Sequence, residues 1–378
     1  MRIAMVTDSY FPTRDGVVTV VSLLEKGLRE MGHEVTVVAP DPGEAHRLEG
    51  VRYFPAKEFR QYPGYYVPVF PSNKVQVLEE IAPDVIHIHG IAVMAVKALI
   101  AARALGIPTV ATFHTMVDRA MDFYSPIRFS PETRDRLVWT YVRNYLKRPY
   151  AVVFPSESAA EAVLSKGVRP KRYEVIPMGV DTSRFNPDVP GREEIRERYG
   201  LAGKRVLVNV SRVAFEKKID LLIDALKLMP EDCALMVVGK GPALEDLKAR
   251  ARESGVGDRI VFTGFVQDAE LLAHIAAGDV AVSASEFETQ GLAILESMAC
   301  GLPAACAMAE GYRDFVVEGV NGHFFGSTPE SCAEAVAKCL LDRENLSRGA
   351  VDTARAHSYT GAVERTAALY ADAVKGVR

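Results

Sequence analysis

Short apolar runs rich in β-branched residues alternate along this chain with longer amphipathic runs, and halfway along the series starts again. That alternation predicts parallel sheets covered by helices: a strand buried on both faces reads as a continuous apolar run, and its crossover reads as a helix. The first series predicts strands at Ile3–Val6, Glu34–Ala39, Asp84–His89, Pro108–Phe113, Ala151–Pro155 and Tyr173–Pro177. Helices are expected at Val18–Met31, Ile91–Leu105, Pro131–Leu146 and Ser158–Lys166. The second series predicts strands at Arg205–Ser211, Cys233–Val238, Ile260–Thr263, Asp279–Ser283 and, last, Pro303–Ala307. Helices at Ile219–Leu228, Ala243–Ser254, Ala269–Ala276 and Gly291–Ala299 fall between them. Each half reads as a Rossmann-like, doubly wound α/β unit, and a length of 378 residues suits two of them.

Between the two series lies Pro177-Met-Gly-Val-Asp-Thr-Ser-Arg-Phe-Asn-Pro187, whose Pro, Gly, Asp and Asn fix turns. The expected domains are therefore 1–178 and 188–358. The stretch Phe54–Pro71 differs in kind, holding Phe59, Tyr62, Tyr65, Tyr66 and Phe70 with Lys57 and Arg60. It reads as a packed irregular loop or as a surface facing an acceptor or a membrane.

A net charge of −4 argues against a surface devoted to nucleic acid. The opening Met1-Arg-Ile-Ala-Met-Val6 is too short for a signal-peptide core, and no apolar stretch approaches the ~20 residues of a membrane span. All five cysteines lie in the second half without a Cys-x-x-Cys pair, which predicts neither zinc nor a disulfide framework and suits a reducing cytoplasm.

The most informative stretch is Glu288-Thr-Gln-Gly-Leu-Ala-Ile-Leu-Glu296. A predicted strand enters a loop ending at Glu288, and a helix follows from Gly291. Glu288 thus stands at a strand's carboxyl end, where open α/β sheets bind ligands. Glu296 lies about two helical turns on. The N–H groups of Gly291 and Leu292 open a helix, a ready anion site. A carboxylate accepts two hydrogen bonds and suits vicinal hydroxyls, so one glutamate fits a sugar and the other a ribose, with diphosphate at the helix start. The second element, Ser211-Arg-Val-Ala-Phe-Glu-Lys-Lys218, follows the first strand of the second half. Its Arg212 and Lys217 suit the charge that develops on a departing diphosphate, with no metal needed.

These two elements resemble the Gly-Arg-x-x-x-x-Lys and Glu-x7-Glu motifs of glycosyltransferase family 4. So do Arg29-Glu-Met-Gly-His-Glu-Val35, Val85-Ile-His-Ile-His-Gly90, Ile176-Pro-Met-Gly-Val-Asp181 and Met298-Ala-Cys-Gly-Leu-Pro303, so the resemblance covers nearly the whole chain. It implies the GT-B fold, with two Rossmann-like domains facing a central cleft. It also implies a C-terminal helix, read at Thr360–Val374, that returns to the first domain so that residues 360–378 pack there. Hinge closure about Pro177–Asn186 is the corresponding expectation. By the same resemblance Arg212 and Lys217 bind the diphosphate, Glu288 contacts the transferred sugar and Glu296 the ribose. Gln290, Gly291 and Leu292 complete the donor site, and Val266 backbone groups read the base. The implied transfer is retaining and metal-independent, with no cofactor beyond a nucleotide-sugar donor. Three departures stand out: Lys218 where the family often has Gly, Glu310-Gly-Tyr-Arg-Asp314 in place of Gly-Gly-x-Pro-Glu, and Asp15-Gly16 where Gly-Gly is common. Gly16, free of Cβ, still lets backbone approach a phosphate.

His114 follows a strand end in the first half, and the resemblance places a histidine there beside the donor sugar. The plainer reading is a hydrogen-bonded loop residue. His87 and His89 alternate on one strand and read as strand packing, since no carboxylate follows at ligand spacing. The set favours front-side, dissociative transfer, the acceptor proton passing to the departing phosphate. Wording such as Thr7-Asp-Ser-Tyr-Phe-Pro12, Phe113-His-Thr-Met116 and Gln290 for the usual Phe is similar to diacylglycerol glucosyltransferases. That favours UDP-glucose as donor and a glycerolipid as acceptor. The stretch Arg128, Arg134, Arg136, Trp139, Tyr141, Arg143, Tyr145, Lys147 and Arg148 suits a helix on an anionic membrane surface, or else one with its aromatics in the core. A cytoplasmic enzyme, peripheral on the inner face of a membrane, is the resulting expectation. The alternatives are a soluble sugar or small-metabolite acceptor, and a nucleotide-sugar epimerase. A dehydrogenase fits poorly, because no Gly-x-Gly-x-x-Gly follows the first strand. A non-catalytic nucleotide-sugar binder would not need the Arg212, Lys217, Glu288 and Glu296 set.

Overall fold

The computed structural model describes residues 1–13, 15–58, 66–68, 74–114, 130–286 and 288–377. The chain forms two compact units, Met1–Pro177 together with Thr360–Arg378, and Met178–Tyr359.

The first unit is built on strands β1 (Arg2–Thr7), β2 (Glu34–Pro40) and β3 (Val51–Phe54). Two short strands, β4 (Ala56–Glu58) and β5 (Tyr66–Pro68), pair only with each other, antiparallel. Then follow β6 (Val85–His89), β7 (Thr109–Thr112), β8 (Ala151–Phe154) and β9 (Tyr173–Val175). The parallel sheet runs β3-β2-β1-β6-β7-β8-β9, so strand order reverses between β1 and β6. Crossover helices include Gly16–Glu30, Val93–Leu105 and Pro131–Leu146. The last helix, Tyr359–Val377, places Tyr370 in this core, where its hydroxyl meets His87 Nδ1.

The second unit contains β10 (Arg205–Val210), β11 (Cys233–Val238), β12 (Ile260–Gly264), β13 (Val280–Ser283), β14 (Ala304–Ala307) and β15 (Gly322–Phe325). Their order is β12-β11-β10-β13-β14-β15, with the reversal between β10 and β13. Because side chains alternate along a strand, each sheet face builds its own core. Val206, Val208, Met236, Ala281 and Cys306 belong to one cluster, and Leu207, Leu235, Val237, Val282 and Ala305 to the other. All five cysteines are buried here as free thiols.

Several expectations are corrected. The series does not end at Pro303–Ala307: β15 follows, and after it the helices Pro329–Leu341 and Arg343–Ala356. Phe54–Pro71 is not wholly irregular, since β3 ends at Phe54 and the β4–β5 hairpin follows; Phe59, Arg60, Tyr62, Tyr65 and Phe70 lie outside the described residues. The turn-rich stretch after Pro177 is packed. Val180 N–H donates to the His357 carbonyl at 2.8 Å and Tyr359 N–H to the Val180 carbonyl at 3.2 Å. A Cβ on Gly179 would stand 2.0 Å from the His357 carbonyl oxygen, so only glycine fits that contact.

The helix Pro131–Leu146 divides its side chains cleanly. Val138, Trp139, Val142, Tyr145 and Leu146 are buried, while Arg136, Leu137, Tyr141, Lys147 and Arg148 are exposed. Tyr141 and Tyr145 hydroxyls donate to the carbonyls of Ile91 and Gly90 just after β6. Arg128 lies outside the described residues. Among those described, no helix is long and apolar enough to cross a membrane.

Candidate active site

Ligands of open parallel sheets bind outside the carboxyl ends of strands where the order reverses. In the second unit that point falls between the segments following β10 and β13. After β10 the chain makes a tight turn at Phe215–Lys217, passes through Lys218 and enters the helix Ile219–Leu226. Two glycines after β11 clamp it: a Cβ on Gly239 would meet the Ser211 carbonyl oxygen at 1.9 Å, and one on Gly241 the Val213 carbonyl oxygen at 2.2 Å. The segment is thus held by backbone contact, and its cations are placed with it. Arg212 forms an ion pair with Glu216. Lys217 Nζ donates to Glu288 Oε2 at 3.0 Å and to Ser285 Oγ at 3.4 Å. The Arg212 and Lys217 side chains keep 26% and 22% of their surface exposed, so both cations are reachable by a ligand.

Lys218 takes the left-handed conformation, φ 51° and ψ 38°. That backbone suits glycine, and for an L-residue it is strained by about 1–2 kcal/mol. The Lys218→Gly variant is expected to be more stable by about 0.5–1 kcal/mol, part of the relief being offset by the extra freedom of glycine in the unfolded chain. Urea midpoints measure this, and no gain would show that the Lys218 side chain contributes as much as the strain removes.

After β13 the second segment brings Glu288 to Lys217 and then turns into a helix. The helix begins at Leu292 rather than Gly291, which caps it at φ 80°. A Cβ on Gly291 would stand 2.4 Å from the Tyr312 ring, so glycine is required twice over. Tyr312 is buried with its hydroxyl 2.7 Å from Ser283 Oγ. Ile294 and Leu295 N–H both donate to the Gly291 carbonyl, leaving Leu292 and Ala293 N–H as the ones without a helical partner. Gly311 N–H donates to the Glu288 carbonyl at 2.8 Å, so the departure at Glu310–Asp314 still braces this segment. The Gln290 side chain is buried and its amide nitrogen donates to the Met178 carbonyl, which ties the segment down. Val266, half-buried after β12, packs against the core beside exposed Phe265, over whose ring Lys240 Nζ lies 5.1 Å from the centroid.

Glu296 sits on the second turn of the helix, half-buried. Desolvation pushes its carboxyl up to about 7, opposed by Arg184 and reinforced by Asp268. It is therefore a carboxyl whose charge changes near neutral pH.

In the first unit the reversal falls between β1 and β6. Gly16 is exposed at the start of the helix Gly16–Glu30, and a Cβ there would meet nothing within 4 Å. Asp15 caps that helix through Val18 N–H at 2.9 Å and accepts from Ser9 Oγ at 3.0 Å. Asp8 caps another helix from a distance, accepting Ala92 and Met94 N–H at 2.9 and 2.8 Å. Burial raises its carboxyl to about 6, those N–H bonds opposing. His114, half-buried just past β7, lies 3.0 Å from His89 through Nε2 and Nδ1. Burial lowers the His114 imidazole to about 4, against the pull of Asp15. Sequence reasoning missed the contacts of His89, Asp8, Tyr312, Ser285 and Glu216. Only the i, i+4 spacing of Arg212 and Glu216 carried a local signal. Among the described residues no group of three or more His, Cys, Asp or Glu is placed to hold a metal ion.

Residues 14–184 match the model of Glycosyltransferase Family 4, and residues 191–356 that of Glycosyl transferases group 1. An alpha-monoglucosyldiacylglycerol synthase of Streptococcus pneumoniae is 31% identical over 80% of this chain and 70% of its own length. A GDP-mannose-dependent alpha-mannosyltransferase of Mycobacterium tuberculosis is 30% identical over 100% of this chain and 98% of its own. The chain belongs to glycosyltransferase family 4. Sulfoquinovosyl transferase of Arabidopsis thaliana is another relative, 33% identical over 84% of this glycosyltransferase and 62% of its own length. Among solved structures, Anabaena HepE in complex with UDP and glucose superposes with a TM-score of 0.79 at 21% identity, covering 98% of this chain and 100% of that one. Sucrose-phosphate synthase from Thermosynechococcus elongatus gives 0.79 at 19% identity, covering 98% and 99%. At those identities the likeness establishes the GT-B fold alone. The motif residues of this glycosyltransferase divide between its units: Gly16 and His114 in the first, and Arg212, Lys217, Val266, Glu288, Gln290, Gly291, Leu292 and Glu296 in the second.

Proposed function

We propose that this enzyme transfers a hexose, glucose first among them, from a nucleoside-diphosphate donor to a glycerolipid hydroxyl, with retention and without a metal ion. The observation that carries the reading is the Lys217–Glu288 contact at 3.0 Å, beside Arg212, at the carboxyl ends of β10 and β13. A cation for phosphate and a carboxylate for sugar hydroxyls touch where a pyrophosphate joins a sugar. Arg212 and Lys217 neutralise the departing diphosphate, with Leu292 and Ala293 N–H at the helix start, and so fill the role a divalent cation fills in metal-dependent transferases. As the anomeric C–O bond to phosphate breaks, the acceptor oxygen bonds to the same face of the sugar. Its proton passes to the departing phosphate oxygen, so no nucleophilic side chain is needed. UDP is the favoured nucleotide, on motif wording similar to diacylglycerol glucosyltransferases.

The lipid acceptor draws support from relatives named as monoglucosyldiacylglycerol synthases in two bacteria. It also draws on the exposed row Arg136, Leu137, Tyr141, Lys147 and Arg148, whose cations and apolar groups suit an anionic bilayer. Peripheral attachment at the cytoplasmic face follows from that reading.

The test is nucleotide release from a panel that includes UDP-glucose and GDP-mannose, with EDTA present, with and without vesicles containing diacylglycerol-type lipids. Release from one donor that rises with lipid and gives an α-linked product bears the proposal out. Release indifferent to lipid removes the glycerolipid, and a rearranged sugar without acceptor makes the enzyme an epimerase.

A pH dependence follows from Glu296. Its folded carboxyl binds a proton more readily than in the unfolded chain, so stability declines as pH rises from the ordinary carboxylate range through about 7. Charge makes it a better acceptor for ribose hydroxyls, so the donor KM is expected to fall as pH rises through about 7. Glu296→Gln should flatten that part of the profile. A KM profile identical in the variant would remove Glu296 from the donor site.

A further inference from the structure

On β6, His87 and His89 stand two residues apart and leave the same face of the sheet. The register sets His89 opposite Thr112 of β7, and His114 follows two residues later. Three imidazoles form a row, with ring centroids 3.9 Å apart for His87 and His89 and 5.2 Å for His89 and His114. His87 is engaged by the Tyr370 hydroxyl at Nδ1 and by Thr112 Oγ1, 2.7 Å away, at Nε2. His89 Nδ1 meets His114 Nε2 at 3.0 Å. The other nitrogen of His89, Nε2, is buried and has no hydrogen-bond partner among the described residues.

A hydrogen bond between two neutral imidazoles holds one proton, and the unpartnered nitrogen says whose it is. If His114 were the donor, His89 Nδ1 would accept, and a neutral His89 would carry its proton on Nε2, a buried N–H with nothing to bond. If His89 is the donor, only a lone pair is left unpaired. Orphaned buried N–H groups are the rarer and costlier of the two. Burial also keeps the row neutral: desolvation lowers His87 to about 3 and holds His89 well below the ordinary histidine range.

We propose that His89 is a positioning residue that donates its Nδ1 proton to His114 Nε2 and so fixes His114 as the Nδ1-protonated tautomer. With Nε2 accepting, His114 carries its one ring proton on Nδ1. That makes it a hydrogen-bond donor, suited to the oxygen of a sugar hydroxyl or of a phosphate. The consequence for transfer rests on the reading of His114 as a donor-sugar contact; the tautomer does not.

The test is a nitrogen-15 spectrum of the histidine rings in the full chain, with His114 assigned by the signals lost in His114→Gln. The expected result is a pyrrole-type Nδ1 and a pyridine-type Nε2 for His114; the reverse pattern overturns the proposal. His89→Asn keeps an N–H near the place of Nδ1 and should preserve the pattern, while His89→Leu should lose it. In the same variants, His89→Leu is expected to lower kcat about tenfold or more with donor KM changed less than about threefold, and His89→Asn to restore most of it. An unchanged His114 spectrum in folded His89→Leu overturns the proposal. The expected spectra with a kcat indifferent to both variants uphold the tautomer and overturn His114 as a donor contact.

Discussion

Lys217→Ala is expected to lower kcat by about 10²–10³, the loss seen when one preorganised donor to a developing oxyanion is removed. The charge at stake forms as the diphosphate departs, so the effect should fall on kcat, with the donor KM moving far less. The ligand-free contacts raise a competing explanation. Lys217 also neutralises Glu288 at 3.0 Å, and its removal leaves that carboxylate beside Ser285 without its cation. Lys217→Ala combined with Glu288→Gln separates the two roles. If Lys217 only balances the charge of Glu288, the double variant is no slower than Glu288→Gln alone; if it stabilises the leaving group, the double variant is slower than Glu288→Gln by a factor close to that of Lys217→Ala. Nucleotide release against donor concentration is the measurement, and a Lys217→Ala enzyme within about threefold of wild type would remove the cation from the mechanism.

The largest effect on stability is expected at Asp279, just ahead of β13. Its carboxylate accepts from Arg192 at 2.7 Å, Arg196 at 2.6 Å and the Val206 N–H at 2.8 Å. Asp279 and Arg196 are buried. Burial by itself would raise this carboxyl, but the Val206 N–H and the two guanidiniums outweigh it and bring it below the ordinary range. Asp279→Ala leaves the buried Arg196 and the half-buried Arg192 without their carboxylate and the Val206 N–H without its acceptor, for which about 3–5 kcal/mol is the expected loss. For a unit of this size that corresponds to a fall in Tm of about 10 °C. The depressed pKa fixes the pH sign: the contribution is complete above the unfolded carboxylate value of about 4 and disappears as pH falls through the lower folded one. Urea denaturation of wild type and variant at neutral pH checks the size, and a loss under about 1 kcal/mol would show that the neighbouring carbonyls satisfy both guanidiniums alone.

Most of the parallel strands announce themselves, because β8 and β11 are uninterrupted apolar runs and β6 and β13 depart from one only at His87, His89 and Ser283, all of them buried on both faces. β15 does not. It opens on Gly322, a weak strand former, yet a Cβ there would stand 2.2 Å from the Ala304 carbonyl oxygen, so the residue that hides the strand is what lets it pair. The placement of Arg212, Lys217 and Glu288 past the carboxyl ends of β10 and β13 is legible for the same reason as the strands, since loop position follows from strand position. Partners are not. Nothing local to Gln290 announces the Met178 carbonyl, 112 residues earlier, that its side chain meets. His89 looks like packing until register brings His114 to it from another strand. Such pairings depend on how strands slide past one another, and no local pattern records that.

The five thiols all lie in the unit Met178–Tyr359, every one of them buried. A thiol-modifying reagent reacts with the thiolate, and burial here pushes the pKa of the Cys300, Cys332 and Cys339 thiols up to about 12. In the native state these groups are doubly silent, by access and by ionisation. Labelling therefore keeps time for one half of the molecule only: its rate counts the openings of the unit Met178–Tyr359, while the other half, which has no cysteine, contributes no signal of its own. A donor that binds this unit should slow that clock in proportion to its occupancy, which gives a readout of donor binding that needs neither an acceptor nor turnover.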